Sequence, residues 1–226
     1  SCHGAQYYVD HGFLDGVDAI YGTHIWGDLD APYMNFEAGP RMASCDNFRI
    51  EVEGKSAHGS TPHQGVDAIL AAAHIITEIQ AVVSRMNDPL NPLVVTVGTI
   101  NGGQRFNILA DKVVMEGTTR THSPKMRKKT EPLLRKIAEN AADSMGAKAT
   151  LTFEYFPAPI INDHENLVQI ARNAAVKLYG PDALKPFPKM MISEDFAYYM
   201  EKIPGVFGLV GSQNKELGCT AKNHND

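Results

Sequence analysis

The histidines of one connecting segment are the first residues in this sequence that could do chemistry. His58 and His63 lie in the stretch 54–69, GKSAHGSTPHQGVDAI, among small residues that leave room for other groups to approach. A neutral imidazole can bind a metal or exchange a proton near neutral pH. The segment joins an alternating apolar stretch to a helical pattern, and such junctions commonly carry functional side chains. The alternative is a strand–helix loop whose histidines are only solvated.

Two further histidines lie at the ends of predicted strands. His24 ends an apolar stretch close to Trp26, and His224 follows the last predicted strand and its loop. Side chains at strand ends commonly line the sites of α/β proteins, so the two imidazoles could share a metal. Two ligands do not make a metal site, however. A hydrogen-bonded histidine at a domain edge and a frayed terminus are the open alternatives.

A group suited to binding a carboxylate is the third candidate. Asn107 and Arg120 bracket the turn and strand that follow Gly103. The planar guanidinium offers five N–H donors in a fork that matches a carboxylate. A solvent-facing arginine on a strand is the more common case, and it stays open here.

The central part of the chain, Cys45 to Phe156, must position most of these residues. Alternation predicts a half-buried strand over 47–52, and further strands are predicted over 93–100, 112–121 and 149–156. A helix is predicted after Pro62, with a buried face made of Ile69, Ala73, Ile76, Ile79 and Val83. Ser123-Pro124 opens a second helix that Gly146 ends. Because positive charge opposes the helix dipole there, we expect Lys125, Arg127, Lys128 and Lys129 in its first turns to be solvated.

This order of elements is typical of a ferredoxin-like unit, a split βαβ sheet with both helices on one face. The flanking segments predict a short helix over 5–11, a buried strand over 17–25 and a turn-rich crossing segment over 27–39. After the unit we expect a helix over 163–179, a short helix capped by Ser193 with Glu194 and Asp195 in its first turn, and a buried strand over 206–210. The fold class is therefore α/β (α+β), with the module 41–157 inserted between segments 1–40 and 158–226.

Composition limits the class of protein. The chain has 226 residues, of which 43% are hydrophobic and 21% charged, as in ordinary globular proteins. Its net charge of −5 argues against a nucleic-acid binder. No apolar run approaches the roughly 18 residues that span a membrane, and Ser1 to Asp10 does not read as a signal peptide. Three widely spaced cysteines fit reduced thiols in a cytoplasmic protein.

Several segments, taken together and in order, resemble the M20 family of metal-dependent amidohydrolases and peptidases. They are GVDAIYGTH at 16–24, the histidine-containing stretch within 57–68, NILAD at 107–111, GTTR at 117–120 and SEDF at 193–196. The sequence is similar above all to the branch that hydrolyses N-acyl amino acids, hippurate and auxin–amino acid conjugates. The resemblance implies a zinc-peptidase-like catalytic domain interrupted by a ferredoxin-like lid that also dimerises.

The resemblance also implies roles for single residues. His24 and His224 match metal ligands of the family. His58 matches the lid histidine that reaches a partner subunit's active site and stabilises the developing oxyanion. The residues assigned to substrate binding are Asn107 and Arg120, which match the groups that hold the carboxylate, and His63, which is common in this branch.

One departure from the family pattern limits the expected activity. The remaining metal ligands and a Glu-Glu pair that supplies the general base belong to an N-terminal segment, and the pair would fall immediately before Ser1. We therefore expect a C-terminal part of an amidohydrolase that is inactive alone. The complete enzyme would be a cytoplasmic homodimer that cleaves N-acyl or N-aroyl amino acids with one or two divalent ions, zinc, manganese, cobalt or nickel. The alternative is a non-catalytic dimerisation or small-acid-binding module.

Overall fold

The computed structural model describes residues 4–222, which divide into two compact units. The first unit runs to Ala43 and resumes at Pro157, and the second unit is Ser44–Phe156. The helices are α1 (Gly4–Asp10), α2 (Ala68–Ala81), α3 (Pro124–Ser144), α4 (Glu165–Tyr179) and α5 (Ala197–Met200). The strands are β1 (Ile20–Asp30), β2 (Met34–Asn35), β3 (Gly39–Met42), β4 (Asp46–Glu53), β5 (Leu93–Gly102), β6 (Lys112–Thr121), β7 (Lys148–Tyr155), β8 (Ile160–Asn162) and β9 (Gly205–Gln213).

The second unit has the predicted ferredoxin-like arrangement. Its elements follow the order β4–α2–β5–β6–α3–β7, and the sheet order is β5-β6-β4-β7 with every neighbouring pair antiparallel. Alternation along β4 buries Phe48, Ile50 and Val52 beneath the two helices, as predicted. The unit differs from the predicted range 41–157 by a few residues at its start and one at its end. We call it the lid unit below.

Helix α2 begins at Asp67, whose side chain accepts hydrogen bonds from the backbone N–H groups of Ile69 and Leu70 at 2.9 and 3.1 Å. The predicted buried face of this helix is wrong at Ile69, which is 47% exposed, and at Ala73, which is also exposed. Ile79 is buried as predicted, and Ile76 and Val83 are half-buried and pack against the core. The residues that are buried are Ala68, Ala71, Ala72, Ile75, Ile79 and Val82. Apolar residues cover more than half of the helix, so their spacing fits two faces, and the face rich in alanine permits the closer packing.

Helix α2 and the π-helical turn that extends it (Val82–Met86) also bear on the expectation about membrane spans. Among the described residues, Ala68–Met86 is long and apolar enough to cross a membrane by length and composition alone. Its alanine-rich face is fully packed against the lid sheet and α3. The core of the lid unit accounts for the apolar residues of this face, whereas Ile69 and Leu70 on the other face are exposed. The expectation that no segment is long and apolar enough to span a membrane is therefore not met by length and composition.

Helix α3 begins as predicted, because the Ser123 hydroxyl accepts a hydrogen bond from the Met126 N–H at 3.2 Å. The expectation that its early basic residues are all solvated is wrong for Arg127. Its guanidinium binds the carboxylate of Asp46, with the shortest N–O distance 2.7 Å, and the two side chains are 12% and 1% exposed. Asp46 is the first residue of β4. Its buried carboxylate stabilises the Arg127 cation more than the helix dipole destabilises it.

In the first unit, β9 lies between β1, to which it is parallel, and β2, to which it is antiparallel. Strand β9 is almost entirely buried, as predicted. Strand β1 was expected to be buried, but Tyr21 and Ile25 are 55% and 66% exposed. It also continues to Asp30, into the predicted crossing segment. Its exposed residues alternate along the chain, so one face of the strand is uncovered within residues 4–222.

Candidate functional site

Two connections of the lid unit are paired with each other, and they carry two of the predicted site residues. The N–H of Gly59 donates to the backbone oxygen of Asn107 at 2.8 Å, and the N–H of Leu109 donates to the oxygen of Ala57 at 2.9 Å. His58 and Ile108 form a bridge between these bonds. We call residues 54–67 and 103–111 the paired loops. Their backbone pairing places His58 and Asn107 at adjacent positions.

The small residues of the paired loops are required by close backbone approach. A Cβ at Gly59 would lie 3.1 Å from the backbone oxygen of Asn107. A Cβ at Gly65 would lie 2.5 Å from the oxygen of Lys55, the residue whose N–H and oxygen both bond to Val66. Side chains there would push the strands of the pairing apart. The glycines therefore serve the geometry that presents His58.

The His58 imidazole is exposed and held by Ser60. The backbone N–H of Ser60 donates to Nδ1 at 3.1 Å, and the Ser60 hydroxyl lies 2.7 Å from the same atom. An N–H group can only donate, so Nδ1 carries the lone pair. In the neutral ring the proton is then on Nε2, and His58 offers an N–H donor to whatever approaches the paired loops.

The other two predicted lid residues lie at different places in the same unit. His63 is exposed in a short 3₁₀ turn, Pro62–Gln64, within the first of the paired loops. Arg120 lies on β6 opposite Val94 and is half-buried. Because its neighbours Thr119 and Thr121 are buried on the helix side of the sheet, Arg120 belongs to the opposite face.

His24 lies on β1 of the first unit, opposite Leu209 of β9. Its Nδ1 is 2.6 Å from the backbone carbonyl oxygen of Ile25, and a carbonyl oxygen can only accept, so Nδ1 carries the proton. The lone pair of the neutral ring is then on Nε2, the tautomer in which a histidine binds a metal through that atom. Its ring packs edge-on against Trp26, with centroids 5.5 Å apart.

The second predicted metal ligand, His224, lies outside the described residues. Within residues 4–222, no group of three or more His, Cys, Asp or Glu side chains is placed to hold a metal ion. The first unit therefore contributes one described candidate ligand, His24.

Glu194 is a carboxyl group near His24 that sequence reasoning placed elsewhere. The predicted short helix begins at Ala197, and Phe196 rather than Ser193 precedes it, so Glu194 and Asp195 do not occupy its first turn. Burial raises the pKa of Glu194 above its ordinary value, the hydrogen bond and charge of Asp195 raise it further, and His24 opposes them. The sequence signal that could have identified Glu194 is the adjacent acidic pair within the SEDF segment.

Two clefts lie away from these residues. One, of about 520 Å³, covers the open face of the lid sheet and is bordered by Arg49, Thr96, Glu116 and Thr152. The other, of about 480 Å³, is an apolar groove between β1 and α4. Neither is lined by a predicted site residue. Of the predicted lid residues, His58, His63 and Asn107 lie on the paired loops, and Arg120 lies on β6.

Comparisons with known proteins agree with the fold described above. The family model of the M20 dimerisation domain, described as a peptidase dimerisation domain, matches residues 45–145. The N-acetyl-L-cysteine deacetylase of Bacillus subtilis (strain 168) is 38% identical over 209 residues, 92% of this chain and 50% of that protein. The IAA-amino acid hydrolase ILR1-like 4 of Arabidopsis thaliana is 34% identical over 226 residues, 98% of this chain and 51% of that protein.

A solved structure shows the same fold. A dinuclear metal binding peptidase of the M20 family from Bacillus subtilis matches with a TM-score of 0.78 at 31% identity, covering 93% of this chain and 52% of that one. The chain spans about half the length of the curated relatives it matches.

Proposed function

Because this chain belongs to the M20 family of peptidases and amidohydrolases, we propose that it is the lid-bearing part of an amidohydrolase that cleaves N-acyl or N-aroyl amino acids. The observation that carries the proposal is the Nε2–H donor of His58, exposed on the same paired loops as Asn107. Amide hydrolysis places negative charge on the carbonyl oxygen. A positioned N–H donor stabilises that charge as it develops.

The metal of the reaction would be held in part by the first unit. His24 has the tautomer of a ligand that binds through Nε2, and His224 is proposed as a second ligand. Imidazole ligands suit zinc and nickel, whereas manganese favours oxygen ligands such as carboxylates. A bound divalent ion of this kind would polarise the amide carbonyl and lower the pKa of a coordinated water.

The substrate's free carboxylate would be bound by lid residues. Arg120 can form two parallel charge-assisted hydrogen bonds with a carboxylate. Asn107 adds amide donors from the paired loops, and His63 is proposed beside them. This assignment predicts a preference for N-acyl amino acids over their amidated analogues, because the amide removes the charge that Arg120 recognises.

We further propose that the lid unit forms a homodimer. Its sheet ends in two strands, β5 and β7, each paired along one side in the described unit. Such an edge can pair with a second copy, and the family model that matches residues 45–145 describes a dimerisation domain. Sedimentation of the chain over a range of concentrations tests this, and a monomer throughout would contradict it.

The proposed location of the protein is the cytoplasm. The thiols of Cys45 and Cys219 form no disulfide among residues 4–222, which is compatible with that proposal.

Binding of the substrate class can be measured without turnover. We expect N-acetyl and N-benzoyl amino acids to shift the amide NMR signals of the paired loops and of β6. The same compounds with an amidated carboxyl group are the matched controls and should shift them far less. Equal effects of acid and amide would remove the carboxylate from the proposed recognition.

Catalysis needs more than the described residues supply. A catalytic divalent site usually takes three protein ligands and an open water position, and two are proposed here. We therefore expect no turnover of N-acyl amino acids by the 226-residue chain with Zn²⁺, Mn²⁺ or Co²⁺. Metal-dependent turnover abolished by His24→Ala would contradict this and show that other groups complete the site. Stoichiometric metal binding would favour the enzyme over the alternative, a non-catalytic dimerisation or small-acid-binding module.

A further inference from the structure

The two histidines at the centre of the proposed function have opposite tautomers. His24 Nδ1 faces a backbone oxygen and must donate, whereas His58 Nδ1 faces a backbone N–H and must accept. The neutral rings therefore carry their protons on different nitrogen atoms. One ring has the form of a metal ligand, and the other has the form of a hydrogen-bond donor.

Ser60 supplies both groups that face His58 Nδ1. Its backbone N–H is 3.1 Å away and its hydroxyl oxygen is 2.7 Å away. Because the Ser60 backbone N–H must donate, Nδ1 carries its lone pair, and the rotatable Ser60 hydroxyl can donate to the same atom. Both contacts favour the ring that has its remaining proton on Nε2.

The backbone of this turn is held on both sides. The N–H of Thr61 donates to the backbone oxygen of His58 at 2.8 Å, and the Gly59 N–H is bonded to Asn107 on the second of the paired loops. Ser60 lies between these two bonds. The His58 ring and Ser60 therefore lie on one fixed segment of backbone, which is bonded to Asn107 of the second loop.

From these contacts we propose that Ser60 is a positioning residue, whose hydroxyl and N–H hold His58 as the Nε2–H donor. Loss of the hydroxyl would allow the other tautomer, which presents a lone pair at Nε2. A lone pair would repel a carbonyl oxygen that is gaining negative charge. The use of the Nε2 proton for an oxyanion rests on the proposed function, but the tautomer itself does not.

The test reads the tautomer directly by NMR of the whole chain with ¹⁵N-labelled histidine rings, at about pH 9, where histidine is neutral. The signal of His58 is identified by its loss in His58→Gln. We expect wild-type His58 to carry its proton on Nε2. Ser60→Ala should shift the tautomer ratio about fivefold towards Nδ1–H, equivalent to one hydrogen bond of about 1 kcal/mol.

Two further variants separate this effect from a general disturbance of the loop. Ser60→Thr keeps a hydroxyl on the same atom and should restore the wild-type ratio. Thr61→Val is the matched control, because the Thr61 hydroxyl contacts the backbone oxygen of His58 at 3.3 Å and not the ring. It should leave the ratio unchanged.

Two results would overturn the proposal. One is a proton on Nδ1 in the wild type, and the other is an unchanged ratio in Ser60→Ala. Failure of the proposed function would look different. His58→Gln would then leave turnover of the complete enzyme unchanged, while the tautomer and its response to Ser60→Ala would remain as stated.

Discussion

Removal of the Arg127 guanidinium should severely destabilise the lid unit. Three N–O distances of 3.1, 2.9 and 2.7 Å join its Nε and Nη2 atoms to the Asp46 carboxylate. Arg127 also donates to the backbone oxygen of Phe156, and Asp46 accepts from the Phe156 N–H at 3.1 Å. The beginning and the end of the lid unit, near Asp46 and at Phe156, thus meet at one buried ion pair. We consider the variant Arg127→Met, which keeps an apolar stem and removes the charge.

The expected loss follows from burial. The Asp46 side chain is 1% exposed, so in Arg127→Met its charge would be left with the Phe156 N–H and little water. Breaking a buried pair from one side costs about 3–5 kcal/mol. The contact of Arg127 with the Tyr155 ring, 5.2 Å from its centroid, adds about 0.5–1 kcal/mol. Small domains have about 5–15 kcal/mol in total, so most of the lid unit's stability could be lost.

The measurement is urea unfolding followed by far-ultraviolet circular dichroism, together with hydrogen exchange of the β4 and β7 amides. Trp26 belongs to the first unit, so its fluorescence cannot report on the lid unit. Lys128→Met is the matched control, because it removes an exposed cation at the next position of the same helix. It should change the unfolding free energy by less than about 0.5 kcal/mol.

A double variant sharpens the test. Asp46→Leu combined with Arg127→Met removes both charges, and such replacements are often close to neutral. It should therefore be more stable than Arg127→Met alone. If Arg127→Met cost no more than Lys128→Met, the pair would not be buried as described and the reasoning would fail.

Three further outcomes are expected. Gly117→Ala places a Cβ 2.3 Å from the backbone oxygen of Thr96 and should lower the unfolding free energy by about 1–3 kcal/mol, whereas Gly98→Ala, whose nearest neighbour is 3.9 Å away, should be tolerated in urea unfolding. Burial raises the pKa of Tyr155 above 10.0, so the stability it contributes is present below pH 10.0 and is lost as pH rises through the higher pKa; Tyr155→Phe should weaken this alkaline loss of stability. In the complete enzyme, Arg120→Lys should raise KM about tenfold, or about 1.4 kcal/mol, for acids but not for amidated substrates.

Much of the lid unit was predictable because its signals are local. Alternation in β4 and β6 and the Ser123-Pro124 helix start depend on residues that are neighbours in the chain, and they predicted the order of elements that is typical of a ferredoxin-like unit. The face of α2 was not predictable in the same way. The alanines and isoleucines of α2 are all apolar, so periodicity does not decide which of them are buried. That depends on how closely α3 and the sheet pack against the helix.

The errors at the site have a common cause. Arg127 was expected to be solvated because its buried partner, Asp46, is far away in sequence. Glu194 was assigned to a helix turn for the same reason, because it comes close to His24 only when the chain folds. The residues His58 and Asn107 could be selected by type and resemblance, but the pairing of Gly59 with Asn107 and of His58 with Ile108, which joins their two loops, was not visible in either segment.

The pairing of loops 54–67 and 103–111 also limits how this protein can change over evolution. An insertion or deletion in either loop would move His58 past Asn107 by one step of the pairing and turn alternate side chains to the opposite side. The glycines at 54, 59 and 65, whose added Cβ atoms would lie 2.3, 3.1 and 2.5 Å from backbone oxygens, leave little freedom to absorb such a shift. We therefore expect the two loops to keep their lengths together among descendants of this sequence, and any transplant of one loop into another lid to require the other.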